Sequence, residues 1–220
     1  MRNWREGGLI CGGTLISEVH VLTAAHCPIN RDDAIVVLGS LDREQQSPTA
    51  VVREISELTR HENDRKDSGE YNDIAVIKLA SPVTFSASIR PACLPRSFQG
   101  ETFVNKSLLI SGWGRPSPFS PEALSLQKLE VQGVPSDLCR RPWMDNIAPN
   151  MLCASAPASG PCYQDDGGPL TYTEAGITYL AGVVSLVPYN CDTEPVTYTR
   201  VADYLDWIDS KTGGNSCSRY

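Results

Sequence analysis

The sequence has 220 residues, enough for one domain or two small ones with a sizeable buried core. Its 19 Lys and Arg residues are outnumbered by 26 Asp and Glu residues, which gives a formal net charge of -7. Because nucleic acids and anionic membrane surfaces repel an acidic protein, this charge argues against both as partners. The sequence contains no run of about 18 apolar residues and therefore predicts no transmembrane segment.

Short segments rich in Val, Ile, Thr and Tyr recur along the chain, separated by turns that contain Gly, Pro, Asn or Asp. This pattern is typical of strands in an all-β sandwich or barrel. The clearest predicted strands cover residues 34–38, 74–79, 107–111, 179–187 and 197–201.

Three other segments complete the predicted organisation. Residues 60–70 are charged and lack periodicity, so we expect an exposed loop there. Proline and glycine at 91–100 interrupt the strand pattern and mark a natural midpoint. The one predicted helix lies near the C-terminus, where Val201, Leu205 and Ile208 follow helical spacing before the stop at Gly213 and Gly214.

The cysteines indicate the compartment. There are eight, none in a C-x-x-C pair of the kind that binds metal, so they predict disulfides and an oxidising environment. The triplet Asn105-Lys106-Ser107 is a candidate N-glycosylation site, consistent with a secreted protein. Secretion requires a leader, which we expect to precede this sequence.

The candidate catalytic residues lie in three segments. Only His20, His26 and His61 are histidines, and His26 follows an apolar strand in LTAAHC at 22–27. Asp73 stands at the start of another apolar strand, in NDIAVIKL at 72–79. The third segment is CYQDDGGPL at 162–170, which holds Asp165 and Asp166.

Together with CGGTLIS at 11–17 and SGWG at 111–114, these motifs resemble the chymotrypsin-like serine protease family over about residues 9–209. The resemblance implies an all-β fold of two six-stranded antiparallel β-barrels, with a short C-terminal helix and the active site between the barrels. We expect one protease-like unit at 1–212, with an N-terminal barrel at 1–95, truncated at its start. A C-terminal barrel and helix at 96–212 and a tail at 213–220 would follow.

The resemblance also implies how the cysteines pair. The implied disulfides are Cys11–Cys27, Cys139–Cys153 and Cys162–Cys191. Cys93 stands where many family members tether an upstream segment. Its partner is either such a segment or Cys217, and the sequence does not decide between them.

The family's catalytic serine is replaced here by Asp166, whereas His26 and Asp73 match the other two members of the triad. A carboxylate has no hydroxyl proton to give up, and two carboxylates beside His26 favour the charged imidazolium.

Two neighbouring positions also differ from the family or lack their expected partners. Gln164 stands at the oxyanion-hole position, which is usually glycine. Asp165 matches the acid that pairs with a new N-terminus on activation, but that segment is absent here and Leu9 replaces a possible histidine partner. A buried Asp165 would then have neither partner, and because an unpaired buried charge is costly we expect its loop to be rearranged or solvated.

The positions that line the substrate pocket also depart from the family. Gly160 stands at the base of the pocket, Val187 and Val196 replace two wall glycines, and Leu186 replaces a tryptophan. The two valines imply a narrow pocket for small side chains. Ser185 is retained.

We interpret the chain as a catalytically inactive protease homologue that acts as a secreted binding or regulatory module without a cofactor. Its partner would be another protein or a neighbouring unit in a tandem protease chain. The first alternative is an active serine endopeptidase that prefers small residues. The second is a metal site at His26 and Asp166, although Asp73 is expected to lie behind His26 rather than facing the same ion.

Overall fold

The computed structural model describes residues 1–3, 8–44, 47–64, 72–117, 119–139, 148–156, 164–191 and 193–214. The first half of the chain forms a six-stranded antiparallel sheet. Its strands are β1 (Arg2–Asn3), β2 (Thr14–Leu15), β3 (His20–Thr23), β4 (Ala34–Leu38), β5 (Val51–Arg60) and β6 (Ala75–Leu79). They lie in the order β1-β4-β5-β6-β3-β2.

The second half of the chain forms a closed barrel. Its strands are β7 (Ser107–Gly112), β8 (Gln127–Val134), β9 (Met151–Ser155), β10 (Pro169–Glu174), β11 (Ile177–Leu186) and β12 (Val196–Arg200). The order is β10-β11-β12-β9-β8-β7, and β10 closes the barrel by pairing with β7 through Leu170 and Ile110. All neighbouring strands are antiparallel.

The predicted fold class is confirmed, with one difference. The five predicted strands correspond to β4, β6, β7, β11 and β12, with ends shifted by two residues or fewer. The N-terminal sheet, however, is a half-barrel, because β1 and β2 do not pair with each other among the described residues. Both strands contain only two residues, which leaves little backbone with which to close the sheet.

The predicted C-terminal helix is also confirmed, although its first residues wind more tightly. Val201–Tyr204 is a 3₁₀ helix that leads into α1 (Leu205–Thr212). Gly213 ends α1 in the left-handed region at φ +76°, and its N–H donates to the carbonyl oxygen of Asp209. With eight residues α1 is too short to cross a membrane, and the described part of the chain contains no longer apolar helix. Two further 3₁₀ turns occur at Arg96–Phe98 and Ser136–Cys139.

The core joins the two halves of the chain. Strand β11 contributes Leu180 and Val183 to the cluster inside the N-terminal sheet, and Val184 to the cluster inside the barrel. Ile208 of α1 also packs into the N-terminal cluster and is fully buried. Each such side chain contributes about 1.5–3 kcal/mol of burial free energy, so the packing fixes the two halves relative to each other. The segments between them are therefore held on a rigid frame.

Disulfides reinforce the same frame. Cys11–Cys27 and Cys139–Cys153 are bonded and close loops with sequence separations of 16 and 14 residues. A disulfide that closes a loop of this length stabilises the fold by about 3 kcal/mol, because it reduces the conformational entropy of the unfolded chain. Cys93 and Cys191 are also disulfide-bonded. The expected Cys162–Cys191 pair and the position of Cys217 lie outside the described residues.

Candidate active site

His26 and Asp73 form a close pair between the two sheets. His26 lies three residues after β3 and next to Cys27, whose disulfide to Cys11 fixes this segment. Asp73 lies two residues before β6 and is 0% exposed. The ring Nδ1 of His26 is 2.7 Å from Asp73 Oδ2, and the His26 backbone N–H donates to Asp73 Oδ1 at 2.9 Å. The carboxylate therefore fixes both the backbone and the ring of His26.

The barrel supplies further donors to Asp73. Ser185 of β11 donates its hydroxyl to Asp73 Oδ2 at 2.6 Å, and Thr199 of β12 donates to the Asp73 carbonyl oxygen at 2.8 Å. Burial alone would raise the pKa of Asp73, but the hydrogen bonds and the charge of His26 outweigh it and lower that pKa. Ser185 was expected to line the substrate pocket, and the structure places it against Asp73. Thr199 was not singled out in the sequence, where it is one of several strand threonines.

Asp166 lies on the other side of the imidazole. Its Oδ1 is 3.6 Å from His26 Nε2, and its Oδ2 accepts a hydrogen bond from the Gln164 backbone N–H at 3.3 Å. The Asp166 carbonyl oxygen accepts from the backbone N–H of Gly12 at 2.8 Å. A Cβ atom on Gly12 would come within 2.7 Å of Gly168, so only glycine allows the 164–168 turn to pack this closely on the segment after Cys11.

The two carboxylates control the charge of His26. Burial lowers the pKa of His26, but the contacts with Asp166 and Asp73 and their negative charges outweigh it and raise that pKa to about 10. The imidazole is therefore a cation near neutral pH, with protons on both Nδ1 and Nε2. In that state neither nitrogen has a lone pair with which to accept a further proton.

Gln164 has an unusual backbone for its residue type. Its φ of +75° lies in the left-handed region, which glycine adopts freely and most other residues adopt at a cost of about 1–2 kcal/mol. Its side-chain Oε1 is buried and accepts no hydrogen bond from any described residue. Gln164 thus keeps a glycine-like backbone, and its N–H is engaged by Asp166 Oδ2.

Asp165 points away from His26, into the SGWG segment. Its Oδ1 accepts the Gly114 backbone N–H at 2.9 Å. Glycine is required on both sides of this carboxylate, because an added Cβ would lie 2.0 Å from it at Gly112 and 2.5 Å from it at Gly114. Asp165 is only partly buried and accepts a backbone donor, because the two glycines allow the backbone to approach, so it is not a buried charge without donors. The expectation of a rearranged or solvated loop stays a prediction.

Comparison with known proteins agrees with this geometry. The sequence model of the Trypsin family matches residues 2–208. This chain belongs to the trypsin family. It is 38% identical over 213 residues to transmembrane protease serine 11C of Mus musculus, covering 92% of this chain and 48% of that protein. It is 35% identical over 204 residues to a venom protease of Bombus pensylvanicus, covering 89% and 83% of the two chains. Trypsin-1 of Astacus astacus is 34% identical over 208 residues, with coverage of 90% and 86%. The chain thus spans about half the length of the mouse relative.

Three of the residues that were expected to line the substrate pocket are packed apolar side chains. Val196 is 1% exposed and belongs to the barrel core, and Val187 packs against the same cluster. Leu186 packs against Ala148 and Met151. The two valines are therefore held in place by the barrel. Gly160, expected at the base of the pocket, lies outside the described residues.

The site does not fit a metal ion. Asp73 contacts Nδ1 of His26, whereas Asp166 faces Nε2, so the carboxylates lie on opposite sides of the ring and do not converge on one point. Nowhere in the described ranges do three or more His, Cys, Asp or Glu side chains form a group suited to a metal. His26 and Asp166 alone would offer two ligands, and no third His, Cys, Asp or Glu joins them among the described residues.

Proposed function

We propose that this chain is a catalytically inactive member of the trypsin family that acts as a secreted binding or regulatory module. The observation that carries the proposal is the position of the Asp166 carboxylate. One oxygen faces the Nε2 of His26, and the other accepts the N–H of Gln164. The side chain at the nucleophile position therefore engages both the expected base and an expected oxyanion-hole donor.

The first consequence concerns the nucleophile. In a serine protease the hydroxyl attacks the carbonyl while histidine removes its proton. The Asp166 carboxylate has no hydroxyl proton, and its negative charge is already shared with His26 and the Gln164 N–H. Nucleophilic attack on an amide would require it to give up both contacts.

The second consequence concerns the base. General base catalysis works best when the pKa of the base lies near the operating pH. A pKa of about 10 keeps His26 protonated at neutral pH, so it cannot take a proton from water or from a hydroxyl group. The close His26–Asp73 pair is thus retained, but His26 does not act as the general base that it would be in an active protease.

The third consequence concerns the transition state. An oxyanion formed about 4 Å from the Asp166 carboxylate would be opposed by about 4 kcal/mol at an effective dielectric constant of 20. That amount corresponds to roughly a thousandfold in rate. Hydrogen-bond donors that stabilise the oxyanion usually make the largest contribution to catalysis in such sites. Here the fixed negative charge of Asp166 would oppose that stabilisation.

The rival function is an active endopeptidase that prefers small residues. The 2.7 Å contact between His26 and Asp73 and the packed Val196 favour it. A fluorophosphonate probe, which reacts with activated nucleophiles, separates the two. We expect no labelling of the purified wild-type chain beyond that of a His26→Ala control. Specific labelling that depends on His26 would reject the inactive assignment.

Secretion is supported by the disulfides, which persist mainly in oxidising compartments. The binding partner would be a separate protein or a protease unit in a longer chain. Co-purification of the tagged chain from a culture medium, with and without reducing agent, tests both forms of partnership. Recovery of the chain alone under both conditions would count against a stable partner.

A further inference from the structure

The only Asn-X-Ser/Thr triplet in the sequence is Asn105-Lys106-Ser107, and it lies immediately before and at the start of β7. All three residues are exposed. No hydrogen bond joins the Asn105 side chain to another described residue, so its amide nitrogen is accessible.

The turn that presents Asn105 is firmly held. The Asn105 backbone N–H donates to the Gly133 carbonyl oxygen at 2.8 Å, and the Gly133 N–H donates to the Lys106 carbonyl oxygen at 3.0 Å. A Cβ atom on Gly133 would lie 1.9 Å from the carbonyl oxygen of Phe103, so the turn packs directly on β8. Phe103 points inward and is 1% exposed. The same turn therefore anchors one side chain in the barrel core and leaves the next asparagine in solvent.

Strand β7 separates this turn from the candidate active site. Its last residue, Gly112, packs against Asp165, whereas Ser107 lies at the opposite end. With about 3.3 Å per residue, the five steps from Ser107 to Gly112 span roughly 17 Å. A large group at Asn105 would therefore leave the cleft beside His26 open for a partner.

We propose that Asn105 carries an N-linked glycan. The donor is an oligosaccharide attached to a lipid pyrophosphate. The bond between Asn105 Nδ2 and the first sugar carbon forms as that carbon's bond to the pyrophosphate oxygen breaks. Nδ2 loses one proton, and the lipid pyrophosphate leaves. The inference rests on the proposed function in one respect, since the modification requires entry into the secretory pathway.

Translation of the chain behind a signal peptide, in the presence of endoplasmic-reticulum microsomes, tests the acceptor directly. We expect one slower-migrating band that an N-glycosidase removes. Ser107→Ala should abolish this band, and Ser107→Thr should keep it. Ser107 is the better position to change, because Asn105 has a φ of +62° and its replacement would strain the turn.

A matched control checks that the chain reaches the modifying enzyme. Asp32→Thr completes an acceptor triplet at Asn30, in an exposed segment of the N-terminal half. Modification of this variant at Asn30 alone, with the wild type unmodified, would overturn the proposal. An unchanged band in Ser107→Ala would overturn it as well. Fluorophosphonate labelling of the same wild-type product would reject the inactive assignment and leave the glycan proposal standing, so the two failures are distinguishable.

Discussion

Replacing Asp166 by asparagine removes one of the two negative charges beside His26 and hardly changes the side-chain volume. The imidazolium would then face Asp73 alone through Nδ1. We expect the pKa of His26 to fall from about 10 and to remain above the ordinary value, because Asp73 still holds its charge in place.

The size of the effect follows from the distance between the charges. At 3.6 Å, a pair of unit charges interacts by about 1 kcal/mol in water and about 5 kcal/mol at an effective dielectric constant of 20. The side chains of His26 and Asp166 are 36% and 27% exposed, which favours the lower half of that range. Since 1.36 kcal/mol corresponds to one pH unit, the titration midpoint of His26 should fall by about 1 to 2 pH units.

Proton NMR of the imidazole resonances provides the assay. Only three histidines are present, and burial lowers the pKa of His20 and His61, so a resonance that titrates far above neutrality belongs to His26. Asp137→Asn, the same change at an exposed carboxylate, is the matched control and should leave the midpoint unchanged. A wild-type midpoint near the ordinary value of about 6.5 would refute the reasoning. So would a midpoint that Asp166→Asn does not move.

The same contacts make stability depend on pH. Because folding raises the pKa of His26 to about 10, its stabilising contribution is complete below the ordinary value of about 6.5 and is lost as the pH rises through about 10. After allowance for solvent screening of a partly exposed pair, the free energy of unfolding should fall by about 1–2 kcal/mol between pH 7 and 10.5. Asp166→Asn should show a smaller fall in urea titrations over that range.

Four further substitutions test Asp166 and the residues around the His26–Asp73 pair. Gln164→Gly should raise the free energy of unfolding by about 1 kcal/mol, because glycine adopts the φ of +75° at this position without strain. Gln164→Ala keeps the strain and should not raise it. Equal effects of the two changes in urea titrations would show that the gain does not come from the backbone. Ser185→Ala should cost about 1–3 kcal/mol by removing a buried donor to Asp73, and an unchanged urea midpoint would contradict that role. Asp166→Ser should restore at most marginal peptide hydrolysis, because the Gln164 side chain remains; full turnover in a substrate assay would show that Gln164 does not matter.

The fold could be predicted because each sequence motif is short and several of them occur in the same order along most of the chain. In LTAAHC the polar His26 follows an apolar strand, and in NDIAVIKL Asp73 precedes one; the structure brings the two side chains to 2.7 Å. The extent of closure of the N-terminal sheet was harder to predict. It depends on how many backbone hydrogen bonds β1 and β2 form, and side-chain patterns hardly constrain strands of two residues.

The details of the site depend on backbone partners, which a sequence does not specify. Asp165 finds its donor in the Gly114 N–H, and any residue would supply that group if its side chain left room. The Thr199 hydroxyl donates to the main-chain carbonyl oxygen of Asp73, which every residue type has, so the residue types do not predict this contact. The Gln164 backbone likewise adopts a conformation expected for glycine, because the turn that holds Asp166 requires it.

The central claim is that the Asp166 carboxylate disables the cleft while the trypsin-family fold around it stays intact. Hydrolysis of a panel of small-residue peptides near pH 7.5, compared between the wild type and His26→Ala, tests this claim most directly. We expect equal rates, both at the background level, from two proteins that each unfold cooperatively. Turnover by the wild type that exceeds that of His26→Ala would contradict it.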